Sequence, residues 1–484
     1  MGDLIENKNL VYVCNETDVE TNGMLAIEDD QLRPIAVFNL AGVFYATSNI
    51  CTHNIAILTD GTLEDSIIEC PLHGGSFDIK TGEAASYPCE KPLKTYPVRV
   101  SDGKVYIDYD QISAESPEFE CSVDKGVDNI GDRFLEGPQF PTITLSTGQA
   151  FQVNNNDETV LQSALRAGTA FPYDCSSGGC GNCLFKLEKG EVEDLFPEAP
   201  GISNYARKLG YRLACQSIPK VDCTIGVELD VKYTPPVVPQ KHAARLKSLK
   251  VLTHDMYMIT LYAESHVEFM PGQYALISLP NNNAFRAYSM SNISNSMGEW
   301  EFIIKRVEGG LVSNLIFELA SKDTYNIKMD ITVDGPYGNA YLQSNSKKNV
   351  LCIAGGAGLS PMISILRGAS ARPEFDDRQL LLYYGGRAER DLCVEDIVSE
   401  DSRLKGRVKV VSAVSESSTD VLNKISGEVR RGYIHEVVEK DLWEVLHEYE
   451  IYVCGPPKMV EAVQKTLVNK HKLPDKQIHF DAFY

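Results

Sequence analysis

The 484-residue sequence predicts a multidomain fold, β-rich through most of its length and α/β at its carboxyl end. Three observations carry that expectation. The length exceeds the roughly 100 to 200 residues of one ordinary domain. Short alternating runs such as RPIAVFNL and VFYATS, closed by turns such as SDGK, read as strands. The last part alternates the strand-like NVLCIA, LLLYY, VKVVSA and IYVCG with helical segments, the pattern of a parallel sheet.

Taken in order, residues 1–110 are expected to be all-β. Residues 111–140 are acidic and lack an apolar period, so they read as a linker. In 141–232 the strand-like TITLSTGQAFQV leads into DETVLQSALRAG, where Val160, Leu161, Ala164 and Leu165 recur at helical spacing and Asp157 is placed to cap the start. KYTPPVVPQK is proline-rich and marks a semi-rigid linker at 233–242. Residues 243–346 favour strands again, and 347–484 make up the α/β part.

Composition narrows the function. Hydrophobic content is 43%, ordinary for a globular chain. No apolar run approaches the roughly 18 residues of a membrane span, and MGDLIENKNL lacks the regions of a signal peptide, so a cytoplasmic protein is expected. Thirteen cysteines, an odd number without a secretion signal, point to ligand or free-thiol roles rather than disulfides. Cys14, Cys89, Cys121, Cys223, Cys352, Cys393 and Cys454 are scattered, and buried packing is their default role. The net charge is −21, with 18 acidic against 7 basic residues in 1–110. Nucleic acid is excluded as a partner, because phosphate contacts need clustered Lys and Arg. The acidic stretch is either a solvated face or a front that steers a basic partner.

Two cysteine clusters carry the chemistry. Cys51-x-His53 and Cys70-x-x-His73 are separated by sixteen residues. Two Cys and two His satisfy a tetrahedral zinc ion, but no short recognition helix follows. Gly74 and Gly75 adjoin the last ligand instead, where their amides would be free to donate to cluster sulfides. Cys175, Cys180, Cys183 and Cys215 show the Cys-x₄-Cys-x₂-Cys spacing of a plant-type [2Fe-2S] site, and Gly178, Gly179 and Gly181 would let the loop fold tightly at positive φ.

These motifs resemble known families. CPLHGGSFDIKTGEA and PLKTYPVRV resemble the small Rieske ferredoxins of bacterial ring-hydroxylating dioxygenases, which implies an all-β Rieske domain with Cys51 and Cys70 on one iron and His53 and His73 on the other. Respiratory Rieske proteins carry a disulfide between the loops; here those places hold Ala56 and Leu72, which implies the soluble kind. TVLQSALRAGTAFPYDC and YRLACQS resemble plant-type ferredoxins, implying a β-grasp fold.

PGQYALISLP, RAYSM, KRVEGGLVSNL and DGPYG, in that order, resemble the ferredoxin–NAD(P)⁺ reductase family and imply a β-barrel flavin domain followed by an α/β nicotinamide-binding domain. By that resemblance Arg286 pairs with the FAD phosphate, Ala287 and Tyr288 lie against the isoalloxazine, and Ser289 hydrogen-bonds near its N5. Gly310, Leu311, Val312 and Ser313 would cradle the pyrophosphate. NVLCIAGGAGLSPM places Gly355, Gly356, Gly358, Ser360 and Pro361 at the nicotinamide loop and first helix turn. YVCGPPKM places Cys454, Gly455 and Pro456 beside the nicotinamide, core packing being the other role open to Cys454. In the tail HFDAFY, Phe483 or Tyr484 would lie near the flavin. Ser415 is followed by Glu416 where NADPH users commonly hold Arg, so NADH is favoured; Arg387 in YYGGR is the competing phosphate site.

A nicotinamide gives two electrons and each cluster takes one, so a flavin must divide them. Plant-type clusters lie near about −400 mV and Rieske centres from about −150 mV upward, which makes transfer between them downhill by up to about 250 mV, roughly four powers of ten in equilibrium. The expected order is NADH, FAD, plant-type cluster, Rieske cluster. The remaining histidines, His242, His254, His266, His435, His447, His471 and His479, form no two-His, one-carboxylate set and no paired Glu-x-x-His motif. The electrons are therefore expected to leave for a separate terminal oxygenase with non-haem iron, Rieske-type or di-iron. A small-molecule reductase of the nitrite or deoxysugar type and a redox sensor are the alternatives. Neither a sirohaem site nor a substrate pocket supports the first, and intact flavin and nicotinamide motifs weigh against the second.

Overall fold

The computed structural model describes residues 10–27, 34–108, 140–278, 285–310, 313–314, 317–318, 331–416 and 428–482. Nearly all of the expected acidic linker, together with Leu311, Val312, Phe483 and Tyr484, lies outside the described residues. The chain divides into two compact units, one of residues 1–160 with 180–227 and one of 161–179 with 228–484.

The first unit opens with three antiparallel sheets. Gly23–Ile27, Ile35–Leu40, Val43–Ser48 and Thr95–Tyr96 form one, and Leu10–Asn15, Lys104–Asp108 and Val98–Ser101 a second. Thr62–Glu64, Ile67–Glu69, Ser76–Asp78 and Ala84–Ser86 form the third, with a two-residue turn between the first two strands and longer loops at 70–75 and 79–83. Ala36, Phe38, Leu58, Ile68 and Phe77 close a core beneath them. A five-stranded mixed sheet follows, ordered Ala150–Gln152, Thr142–Leu145, Cys223–Gly226, Leu184–Lys189, Tyr211–Leu213. Its first two partners form a hairpin, and Thr142–Leu145 pairs parallel with Cys223–Gly226 at its centre. This is the β-grasp arrangement expected of a plant-type ferredoxin. The helix runs Val160–Arg166, with Val160, Leu161, Ala164 and Leu165 all buried as their spacing requires. Asp157 lies too early to cap it, and its backbone N–H donates to Asn155 Oδ1 at 3.0 Å instead.

In the second unit six antiparallel strands run in the order Phe285–Ser289, Tyr274–Ser278, Ile331–Tyr337, Gln240–Val251, Met256–Ala263, Glu299–Lys305. A bridge between Met290 and Phe302 brings the two edges together, so the sheet closes nearly into a barrel. The strand Met256–Ala263 alternates buried and half-buried residues, with Ile259, Leu261 and Ala263 turned to the barrel core, because only one of its faces is covered. The first barrel strand begins at Gln240, inside the proline-rich stretch read as a linker.

The last part is a six-stranded parallel sheet, ordered Val429–Arg431, Val408–Val414, Leu380–Gly386, Asn349–Gly355, Tyr449–Gly455, Ile478–Ala482. Leu359–Ser370, Val394–Glu400, Ile434–Leu442 and Pro457–Gln464 are its helices. Tyr449–Gly455 is buried throughout because helices cover both faces, which is why these strands read as unbroken apolar runs. Strand order reverses on either side of Asn349–Gly355, and in such sheets ligands bind at the carboxyl ends of the strands beside that reversal.

Candidate redox sites

Two loops of the amino-terminal part hold the first ligand quartet. Cys51 and His53 follow the strand Val43–Ser48, while Cys70 and His73 lie between Ile67–Glu69 and Ser76–Asp78. Backbone bonds fix each loop: Cys51 N–H donates to Ala56 O at 2.9 Å and Cys70 N–H to Gly75 O at 2.7 Å. Cys51 and Cys70 share a hydrogen bond, and the rings of His53 and His73 lie 4.8 Å apart at 82°. The amides aimed at sulfur belong to His53 and Asn54 for Cys51, and to Leu72 and His73 for Cys70. Gly74 N–H donates to Cys70 O at 3.0 Å.

His73 tests whether this quartet fits a cluster. Its Nε2 lies 2.5 Å from the Cys180 carbonyl oxygen, a partner that only an N–H satisfies. Its Nδ1 is buried without a hydrogen-bond partner. An imidazole fixed as the Nε2–H tautomer by a backbone carbonyl, with a buried lone pair on Nδ1, is the usual form of a metal ligand. Among the described residues, no three His, Cys, Asp or Glu side chains are arranged to hold one metal ion. Paired cysteines beside paired imidazoles instead suit two irons with two protein ligands each.

In the second cluster motif, Cys180, Cys183 and Cys215 are buried, Cys183 and Cys215 share a hydrogen bond, and Gln216 Nε2 donates to Cys215 Sγ at 3.5 Å. Ser177 N–H donates to Cys175 Sγ, also at 3.5 Å. Gly178 and Gly181 take positive φ as expected; Gly179 does not, and Ser176 adopts that conformation at φ 51°.

The loop that carries Cys175 is tied to the flavin barrel. Arg166 pairs with Asp334 at 2.6 Å, Gln162 Nε2 donates to the same carboxylate at 3.0 Å, and Tyr337 OH adds a third bond at 3.0 Å. Gly338 N–H donates to Tyr173 OH at 3.0 Å, while Tyr274 OH donates to Asp174 O and accepts from Ser176 Oγ at 2.7 Å. Together these hold Cys175 and Ser177 on the wall of a cavity of about 590 Å³.

That cavity collects much of the expected flavin and nicotinamide machinery. Arg286, Ala287, Tyr288 and Ser289 line it from the barrel strand, Gly355, Gly356 and Arg387 from the ends of two parallel strands, and Pro456 from the loop after a third. A long, partly apolar hollow with an arginine at the edge and a tyrosine on the wall fits a dinucleotide flavin. At Gly310 an added Cβ would stand 2.5 Å from Ser313 Oγ, as in a turn that needs glycine to approach a ligand closely.

The other expected residues lie behind the wall. Ser360 Oγ donates to Ser289 O at 2.6 Å and accepts from Ile303 N–H at 3.0 Å, so this serine joins the nicotinamide helix to two barrel strands. Pro361 is buried in the same helix. A Cβ at Gly358 would stand 2.1 Å from Cys454 O, and one at Gly455 2.8 Å from Met459 Cε, so both glycines serve close packing. Cys454 is fully buried, and burial pushes its thiol up. Glu416 is exposed beyond Val408–Val414, its N–H donating to Arg387 O at 2.8 Å. The Arg387 side chain lies 3.6 Å from Asp391.

Sequence reasoning passed over Asp481 and Cys89. Asp481 is paired in parallel register with Cys454, hydrogen-bonds it, accepts from Ser289 Oγ at 3.3 Å and reaches the cavity. Its signal was a carboxylate in an otherwise apolar tail. Cys89 Sγ lies 3.7 Å from Cys51 Sγ, and no spacing rule links the two.

Comparison with known proteins finds four domains along the chain. Residues 9–97 match the Rieske [2Fe-2S] domain, 143–220 the 2Fe-2S iron-sulfur cluster binding domain, 243–341 the oxidoreductase FAD-binding domain and 352–465 the oxidoreductase NAD-binding domain. The ferredoxin–NAD(P)⁺ reductase CarAd of Metapseudomonas resinovorans is 39% identical over 343 residues, covering 70% of this chain and 98% of its own. The ferredoxin–NAD⁺ reductase component of the alkene monooxygenase system of Xanthobacter autotrophicus is 35% identical over 342 residues, covering 70% and 99%. The solved structure of a ferredoxin reductase in carbazole 1,9a-dioxygenase superposes with a TM-score of 0.63 at 35% identity over 71% of this chain and 98% of that one. The chain therefore belongs to the ferredoxin–NAD(P)⁺ reductases, iron-sulfur flavoproteins of electron transfer, and carries a Rieske [2Fe-2S] domain ahead of the reductase.

Proposed function

We propose that the protein is a self-contained NADH-dependent electron donor to a separate terminal oxygenase, in which the Rieske domain is the last carrier of the chain. When bound, FAD converts a two-electron hydride donor into single electrons that [2Fe-2S] clusters pass on. Cys175, Cys180, Cys183 and Cys215 would hold one cluster, and Cys51, Cys70, His53 and His73 the other. Arg286 would hold the flavin phosphate while Tyr288 covers its ring, and Ser289 with Asp481 would present polar groups where hydride passes. Cys175 on the cavity wall supports the step out of the flavin site.

The observation that carries the reading is the state of His73, with Nε2 bonded to a carbonyl and Nδ1 buried and unpartnered. A histidine kept for packing would find a partner for Nδ1 as well. Relatives that are reductase components of an alkene monooxygenase system and of a naphthalene 1,2-dioxygenase system support the kind of acceptor. Glu416 supports NADH, because its carboxylate would repel a 2′-phosphate while Arg387 is engaged by Asp391.

Cys70→Ser or His73→Cys tests the position of the Rieske domain. Either is expected to abolish reduction of the oxygenase while NADH-driven ferricyanide reduction stays within about twofold of wild type, since the flavin site is untouched. Equal loss of both activities would show that the Rieske domain is not terminal.

A further inference from the structure

The two imidazoles of the first quartet meet different surroundings. His73 faces the loop of the second cluster motif, its Nε2–H donating to Cys180 O at 2.5 Å. Around that bond the two segments are fastened: Asn54 Nδ2 donates to Gly181 O at 3.3 Å and Ser203 Oγ to Ile55 O at 3.2 Å. Gly181, at φ +79°, comes near enough that a Cβ there would stand 3.1 Å from Asn54 Nδ2 and 3.4 Å from Leu72 Cδ2, besides 2.6 Å from Gly201 O of its own segment. His53, 4.8 Å from the His73 ring, is exposed, near Glu90, whose charge it feels, and beside Thr52, which donates to Lys91 O at 2.6 Å. Glu90 and Lys91 are exposed as well.

We propose that the two histidines divide the traffic: His73 is the inlet, taking the electron across its hydrogen bond to Cys180, and His53 is the outlet, offered to a partner protein while the inlet contact stays made. This rests on the cluster assignments proposed above. The path into His73 crosses one hydrogen bond from the backbone of a cluster-binding cysteine, and the path out of His53 begins at an imidazole edge already at the surface. One electron moves at each step; the plant-type cluster is oxidised as the Rieske centre is reduced, and no bond or proton changes place. A Rieske unit that used one face for both steps would have to break the contact in every cycle. Here one imidazole is bonded to the second cluster motif while its neighbour stays exposed, so the unit passes charge through itself.

The test uses the full holoprotein. Ser203→Arg places a large cation in the contact; because Ser203 Oγ also caps the helix Asn204–Lys208, Asn54→Asp, which sets a carboxylate against the Gly181 carbonyl, is the second variant. Anaerobic mixing with NADH, followed by absorbance and by freeze-quench EPR that separates the two clusters, is expected to show the plant-type cluster reduced at the wild-type rate and the Rieske centre reduced at least about tenfold more slowly in both variants. Dithionite should still reduce that centre at its wild-type potential. Diethyl pyrocarbonate followed by mass spectrometry is expected to acylate His53 and spare His73. Glu90→Lys, read with ferricytochrome c as a basic protein probe and corrected by the Cys70→Ser rate, is expected to lower Rieske-dependent delivery at least about threefold at low salt without slowing Rieske reduction by NADH. Wild-type Rieske reduction in both contact variants, acylation of His73 as readily as His53, or unchanged delivery by Glu90→Lys would overturn the division. A wild-type protein whose Rieske centre NADH never reduces would instead remove the proposed function beneath it.

Discussion

Asp481 is a carboxylate enclosed by Ser289, Cys454 and the apolar wall of the flavin cavity. Burial pushes its pKa up to about 6, against the opposing hydrogen bonds from Ser289 and Cys454. Because that value stands above the 3.8 of an ordinary aspartate, the folded protein binds the extra proton, and the stability linked to this group is lost as pH rises from about 4 to 6. At neutral pH the group is ionised on the wall of the cavity, where on the proposed reading a nicotinamide would become cationic. Flavin reduction by NADH is therefore expected to speed up as pH rises through about 6. In Asp481→Asn the profile should be flat and the rate at pH 7.5 lower by about tenfold, the cost of about 1.4 kcal/mol in lost charge stabilisation; stopped-flow flavin bleaching reads it, and an unchanged inflection in the variant would contradict the assignment. The proposed cluster ligands could be read from the sequence because short spacings, Cys-x-His, Cys-x-x-His and Cys-x₄-Cys-x₂-Cys, mark each loop. Asp481 and Cys89 were not, since each gains its role from a residue on another strand.

Among the elements, the parallel strands were read correctly from their unbroken apolar runs, and the helix at Val160–Arg166 from its period, although Asp157 proved too early to cap it. Long-range fastening left no trace of that kind. Arg166 and Asp334 are 168 residues apart, and His73 and Cys180 are 107 apart, distances over which no periodicity or spacing rule operates. On the proposed reading, the carboxyl ends of the parallel strands would decide cofactor choice. Glu416 follows Val408–Val414, and Arg387 follows Leu380–Gly386 with its side chain turned to Asp391. Glu416→Arg replaces a repelling charge with an attracting one, and the ratio of kcat/KM for NADPH to that for NADH is expected to rise at least about tenfold. A ratio that does not move would place the discrimination elsewhere on this sheet edge.

For the molecule as a whole, the module order follows from charge arithmetic and from potentials. A hydride must be divided before single-electron carriers can take it, and the imidazole-ligated centre, with two neutral ligands in place of two thiolates, holds an added electron more tightly than its Cys₄ counterpart. Among the described residues no helix is long and apolar enough to cross a membrane. The most direct measurement of the scheme is an anaerobic titration of the purified holoprotein with NADH, monitored by EPR and electron spin-echo envelope modulation. The expected result is that the first electrons settle on a [2Fe-2S] centre coupled to histidine nitrogen, with the second cluster signal growing only afterwards. Zinc in place of iron at Cys51, His53, Cys70 and His73, or filling of the nitrogen-free cluster first, would contradict it.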